Sequence, residues 1–246
     1  MKKQLLNTFL GLLFILGNYY MVHGQMFSVG NERPEDRPAP QRGAYFGVGP
    51  AEFEFHGNEQ NVVNSNRFDF DSQIVKLRYE TQNLNFFINF SNSITGADSV
   101  NYFNFGLEFL SGIQIVDSDD FQFGVPIQFR GDFTNVNNQN VQRGQGQFQQ
   151  NNLQIGSGLM LEYRLSPVVR FAANAIPNAG ITFSAGNTFF GTTYGVISDS
   201  RLYFDRIIGE LGLSFAYQFK FKRFNIDTDL FDYDLRSNVF SIGLTF

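Results

Sequence analysis

The sequence predicts an all-β chain closed into an antiparallel transmembrane barrel of about ten strands, within a range of eight to twelve. Three observations predict it. Apolar and polar residues alternate with period two over most of the chain from Gly43 onward. The connections between these runs are short and long by turns. The final residues keep alternating up to a terminal Phe246.

The chain opens on an export signature. Lys2 and Lys3 give a positive start, Leu5 to Leu16 is an apolar run broken only by Asn7, Thr8 and Gly11, and Val22-His23-Gly24 supplies a small-residue site. These are the three regions of a secretory signal peptide, with cleavage expected after Gly24. The run is shorter than the ~20 residues a membrane helix needs. Residues 25–42 carry Pro34, Pro38 and Pro40 among Glu, Asp and Arg. Such a segment has little apolar surface to bury, and it is expected to be a disordered periplasmic leader. The barrel is expected over 43–246.

The strand elements follow from alternation. Phe53 and Phe55 alternate with Glu52, Glu54 and His56; Phe68 and Phe70 with Arg67, Asp69 and Asp71; Val75, Leu77 and Tyr79 with Lys76, Arg78 and Glu80. The pattern continues through Phe103, Phe105, Leu107 and Phe109, then Phe121 to Phe129, Leu159 to Tyr163 and Leu211 to Phe219. It places strands near 44–56, 67–80, 84–92, 101–115, 121–134, 151–164, 167–176, 201–218, 223–232 and 237–246. Short turns fall at 81–83, 116–120, 165–166 and around Phe221-Lys222; long connections fall at 57–66, 93–100, 135–150 and 177–200, with the last hairpin near Tyr233 to Arg236. The Asn-, Gln- and Gly-rich stretch 135–150 is expected to be a mobile solvated loop. The segment 177–200 fits a plug, a loop or an extra hairpin.

Alternation alone does not separate a soluble barrel from a membrane barrel. Charges in mid-strand, at Lys76, Glu108, Glu162 and Glu210, suit a polar lumen with Phe turned to lipid. The last strand sets Phe240, Ile242, Leu244 and Phe246 against Ser241, Gly243 and Thr245. That ending resembles the C-terminal assembly signal of bacterial outer-membrane β-barrel proteins, including small porin-like barrels of the OmpA and OmpX type. The Gln expected after cleavage and the Asn- and Phe-rich style resemble outer-membrane proteins of Bacteroidetes-type bacteria. The resemblance implies a Gram-negative cell envelope, insertion by the outer-membrane barrel assembly machinery, and outer-membrane lipid as the surrounding partner. The absence of Trp departs from mixed aromatic girdles and leaves Tyr and Phe to form them.

Function classes narrow accordingly. With no cysteine there is no disulfide framework or thiolate chemistry. A formal net charge of −5 without a basic block gives nothing for nucleic acid to bind. No spacing of His and Cys marks a metal site, and no cofactor is expected. The predicted register lines the lumen with Lys76, Arg78, Glu80, Glu108, Arg130, Glu162, Arg164, Arg170, Glu210 and Lys220. Ten strands with so many long charged side chains favour a filled or narrow interior over an open channel. A structural or surface-interaction barrel is therefore expected, with a porin-like conduit for ions or small solutes as the alternative. Asp69, Asp71, Asp132, Asp227, Asp229 and Asp232 fall toward the long-loop rim, opposite Arg78, Arg164, Arg170, Lys220, Lys222 and Arg223, although Asp117, Asp119 and Asp120 run against the trend. Of these acids, Asp69, Asp71, Asp227 and Asp229 are candidate ligands for divalent cations at the rim. His56, facing Asp69 and Asp71 across one hairpin, is the candidate for a rim hydrolase on the inner face. The Asp-x-Asp echoes omptin-type barrel proteases, but no Asp-x-His pair accompanies it.

Overall fold

The structure, a computed structural model, describes residues 42–57, 68–92, 95, 99–140, 147–184, 190–227 and 231–246. The export segment, the leader up to residue 41 and the candidate Asp229 lie outside the described residues. Eleven strands follow in order: β1 Gly43–Phe55, β2 Phe70–Glu80, β3 Leu84–Ser91, β4 Val100–Asp117, β5 Phe121–Asn138, β6 Gln147–Ser157, β7 Leu159–Ser166, β8 Val169–Ser184, β9 Phe190–Ile208, β10 Leu211–Ile226 and β11 Tyr233–Thr245. Every pairing is antiparallel, and β1 pairs with β11, so the sheet closes on itself. Both β6 and β7 pair with β5 on one side and β8 on the other. They are the two halves of one stave, broken at Gly158, and the barrel has ten staves. A Cβ at Gly158 would lie 1.9 Å from the Ala175 carbonyl oxygen, an approach only glycine allows.

Four tight turns, at 81–83, 118–120, 167–168 and 209–210, share one rim with both ends of the barrel; the five longer connections form the other. We call these the lower and upper rims. In the lower and middle parts, outward positions are apolar and exposed: Phe46, Val48, Leu77, Phe86, Phe105, Phe129, Leu153, Ile155, Phe215 and Ile242 among them. The intervening positions, such as Lys76, Asn104, Arg130 and Asp199, are buried inside. This inside-out distribution over a closed sheet is that of a transmembrane β-barrel.

Toward the upper rim the distribution inverts. Phe53, Phe68, Phe70, Phe148, Phe224 and Tyr233 are buried in one apolar cluster, while Glu52, Glu54, His56, Asp71 and Arg236 take the outward positions. The expectation that the Phe-bearing flank meets lipid along every strand is corrected here. Above the acyl chains the outer medium is water, and the same alternation then buries its apolar side.

Other expectations are corrected as well. The segment 177–200 is neither plug nor added hairpin: it completes β8 and begins β9, with only 185–189 between them. Residues 201–218 are not one strand but the end of β9, a turn at Gly209-Glu210 and the start of β10. The exposed apolar residues Ile207, Ile208 and Leu211 flank that turn, so the hydrophobic pattern runs through it and conceals it. Phe221 and Lys222 then fall within β10 rather than in a turn, and the last connection is 227–232. Both ends of the amide-rich stretch 135–150 are paired strand, with Asn135 opposite Gln149 and Asn137 opposite Gln147. Ladder pairing uses backbone groups, so polar side chains facing water do not oppose it. Arg42, expected in the leader, continues the ladder by exchanging two backbone hydrogen bonds with Phe246 (3.0 and 2.9 Å).

Gly209 sits at φ +62°, in the left-handed region. Replacing Gly209 with Ala is expected to destabilise the barrel by about 1 kcal/mol through backbone strain alone, since nothing lies within 4 Å of the added methyl. Urea unfolding of the folded protein in detergent measures the difference.

Candidate functional site: the filled lumen and its aromatic cap

Period two places each interior group. On β2 it turns Lys76, Arg78 and Glu80 inward; on β4, Asn104 and Glu108; on β5, Gln128, Arg130 and Asp132; on β9, Asp199 and Arg201; on β10, Gln218, Lys220 and Lys222. Asp132 is the hub of the middle layer. Its carboxylate accepts hydrogen bonds from Lys222 Nζ (3.0 and 3.1 Å), Arg130 Nε (3.2 Å), Asn104 Nδ2 (3.0 Å) and Asn152 Nδ2 (2.9 Å). Lys222 starts from β10 and Asp132 from β5, so this contact spans the lumen. Arg130 also reaches Glu108 (3.0 Å), and Asn85 donates to the same carboxylate (3.0 Å). Arg130 stacks over Phe87 at 4.2 Å.

A second layer lies nearer the lower rim. Arg78 bridges Asp199 (2.8 Å) and Glu80 (3.0 Å); Arg201 binds the same two carboxylates; the Tyr45 hydroxyl donates to Glu80 at 2.6 Å. Gln218 donates to Asp199 and accepts from Lys76. Lower still, Arg170 joins Glu162 (2.9 Å) to Asp205 (3.3 Å) and stacks on Tyr203. Charged side chains taken out of water need partners of this kind, because an unpaired buried ion costs several kcal/mol.

The aromatic cluster caps the upper end. Phe53 stacks on Tyr233 with centroids 4.8 Å apart, and Phe148 meets Phe53, Tyr233 and Phe224 edge-on at 5.2, 4.9 and 5.4 Å. These rings come from β1, β6, β10 and β11, so the cap is tied to staves around the ring.

Of the residues expected in the lumen, Lys76, Glu80, Glu108, Arg130 and Lys220 are buried inside, Arg78 is nearly so, and Glu162, Arg164 and Arg170 are half-buried toward the lower end. Glu210 is corrected: it occupies the tight turn after β9 and is exposed. Phe240, Ile242, Leu244 and Phe246 all face outward and are exposed. The expected charge asymmetry is also redrawn. Asp132 is a central lumen group, Lys222 is its partner, and Arg223 sits on the outer upper wall against Asp234 (2.7 Å). The turn expected at Phe221-Lys222 lies instead at Gly209-Glu210, and this shift is what reassigns Lys222 and Arg223. Asp199, Arg201 and Lys222 were missed as interior residues for the same reason, although Asp199, Arg201, Tyr203 and Asp205 alternate plainly once β9 begins at Phe190.

The rim candidates do not assemble on the inner face. His56 follows Phe53 and Phe55, which point inward, and takes the outward side with Nε2 3.5 Å from Glu54 and 3.6 Å from Asp234. Asp69 accepts the Phe55 backbone N–H at 2.9 Å, and its partial burial pushes its carboxyl above the ordinary range against the pull of that bond. Asp71 is exposed and lies opposite Glu52 in the ladder. Asp227 follows β10 at φ +55°, exposed. Among the described residues, no three His, Asp or Glu side chains are grouped as a metal site.

Closed sheet, apolar lower exterior and charged interior define a transmembrane β-barrel. No protein-family profile matches the chain, and no curated protein matches it by sequence. Among solved structures it is similar to the outer membrane protease OmpT from Escherichia coli, with 6% identity over 85% of this chain and 97% of that one and a TM-score of 0.45. It is similar also to Ail, the attachment invasion locus protein of Yersinia pestis (10% identity, 85% and 100% covered, TM-score 0.28), and to the toluene transporter TodX of Pseudomonas putida (7%, 85% and 89%, TM-score 0.23). At such distances no role carries across.

Removing the hub carboxylate leaves Lys222 and part of Arg130 buried without a counter-charge. Asp132→Ala is expected to destabilise the barrel by roughly 3–5 kcal/mol, whereas Asp119→Ala in an exposed turn should stay within about 0.5 kcal/mol of the parent. Denaturant midpoints of the two variants, read by heat-modifiable gel migration and tyrosine fluorescence, check the contrast.

Proposed function

We propose that the chain is a non-conducting, non-enzymatic barrel of the bacterial outer membrane that acts as a surface-interaction protein. One observation carries the reading: the Phe53–Phe148–Phe224–Tyr233 cap stands over a lumen already crossed by the Lys222–Asp132 contact, and both stand in the way of ions. The export signature at 1–24 and the outward Phe240, Ile242, Leu244 and Phe246 support delivery to the outer membrane through the barrel assembly machinery. The Gln expected after cleavage and the Asn- and Phe-rich composition support a Bacteroidetes-type source.

The surface role falls to the wall above the lipid. There the β5–β6 hairpin turns Asn135, Asn137, Gln147, Gln149 and Asn151 outward. Each amide carries both donors and an acceptor, so a face of them suits polar, uncharged partners such as sugar hydroxyls.

Planar-bilayer recording tests the closed lumen. The purified protein is expected to give no stable single-channel steps. Steady steps from the unmodified protein would establish the porin-like conduit instead. Replacing Gln147 and Gln149 with Ala is expected to weaken binding of the purified barrel to glycan-coated surfaces; unchanged binding would remove this hairpin from the surface role.

A further inference from the structure

The middle of the lumen is not balanced in charge. Four carboxylates, Glu80, Glu108, Asp132 and Asp199, are matched by four cations that touch them: Arg78, Arg130, Arg201 and Lys222. Two further lysines share this zone with no carboxylate in hydrogen-bond contact among the described residues. Lys76 gives its ammonium only to the neutral Gln218 amide oxygen. Lys220 is buried, and its Nζ has no hydrogen-bond partner among the described residues. Lys76 reaches from β2 to Gln218, which is two residues from Lys220 on the same inward face of β10, so the two side chains share one part of the lumen, where Asp132, Asp199 and Glu108 act on them from a distance.

We propose that this place is a binding site for a small inorganic anion of halide size, held by the Lys220 and Lys76 ammonium groups. Two buried ammonium groups in a low-dielectric interior repel each other, and a third charge of opposite sign between them turns both interactions attractive. The packed surroundings set the size. The Asn104, Asn152, Arg130 and Lys222 side chains converge on Asp132 just above, and the aromatic cap closes the space beyond. The route in is from below. Side-chain exposure rises from 0% at Asp132 through 10% at Arg201 to 33% at Glu162, so the anion exchanges with the periplasmic side. The site belongs to the interior alone and does not depend on the surface role.

Bromide is the probe. The folded protein in detergent is titrated with sodium bromide against sodium gluconate at constant ionic strength, so that screening stays fixed while a small anion replaces one too large for the site. The unfolding midpoint is expected to rise saturably, by about 5 °C at full occupancy. Lys220→Met is expected to abolish the rise, and Lys76→Met to weaken it. A midpoint indifferent to bromide, as a neutral lysine needing no counter-ion would give, overturns the proposal, and so does an equal rise in Lys220→Met. Should that variant fail to fold, crystals of the parent protein grown in bromide decide. An anomalous peak between the two ammonium groups supports the site, and bromide found only on the outer surface overturns it.

Discussion

Closure of the sheet is the constraint on which everything else in this molecule rests. Acyl chains offer no hydrogen bonds, so a strand edge exposed to them leaves a row of unpaired backbone groups, each costing several kcal/mol. The ring of antiparallel pairings from β1 round to β11 removes that edge. It tolerates a break at Gly158 because β6 and β7 keep the same neighbours and the same inward phase on either side of the gap. Arg42 and Phe246 extend the final seam by one more pair, where the two ends of the barrel wall meet.

Closure at ten staves creates a second requirement. A ring of this size encloses a space of side-chain dimensions rather than a channel, and the inward half of each strand must fill it. Apolar residues cannot do so throughout, because the lower staves already commit their apolar half to lipid. The polar half therefore packs against itself, and charge must be neutralised locally. Asp132 receives Lys222 from across the ring, while Glu80 and Asp199 share Arg78 and Arg201. Arg130 and Arg170 also lie on aromatic faces, at Phe87 and Tyr203, which lends the layers rigidity without more charge.

The medium outside the wall changes along the axis, and the interior changes with it. A strand such as β1 runs from outward Phe46 and Val48 to outward Glu52 and Glu54 with no break in its pleat. At its lower end the inward positions are Gly43, Tyr45 and Gly47; at its upper end they are Ala51 and Phe53. The aromatic cap is thus the hydrophobic core of the part of the barrel that stands in water. It stands over the charged lumen as a by-product of stabilising the protruding wall.

Period-two alternation was enough to determine that the chain is an all-β closed barrel, that its charged residues are held in mid-strand, and that short and long connections belong to opposite rims. It did so because each strand writes its two faces into consecutive residues. Most of the lumen set, from Lys76 to Lys220, was legible for that reason. Alternation carries no label for which face meets which medium, so Phe53 and Phe46 look alike in sequence and only the closed ring separates the capped interior from the lipid belt. Nor does it mark a tight turn flanked by apolar residues, which is why the β9–β10 turn stayed hidden and Asp199, Arg201 and Lys222 with it. The contacts that give the interior its character, Lys222 to Asp132 and Arg78 to Asp199, join residues far apart in the chain. Ring size and strand register set those distances, and both are properties of the assembled sheet rather than of any one strand.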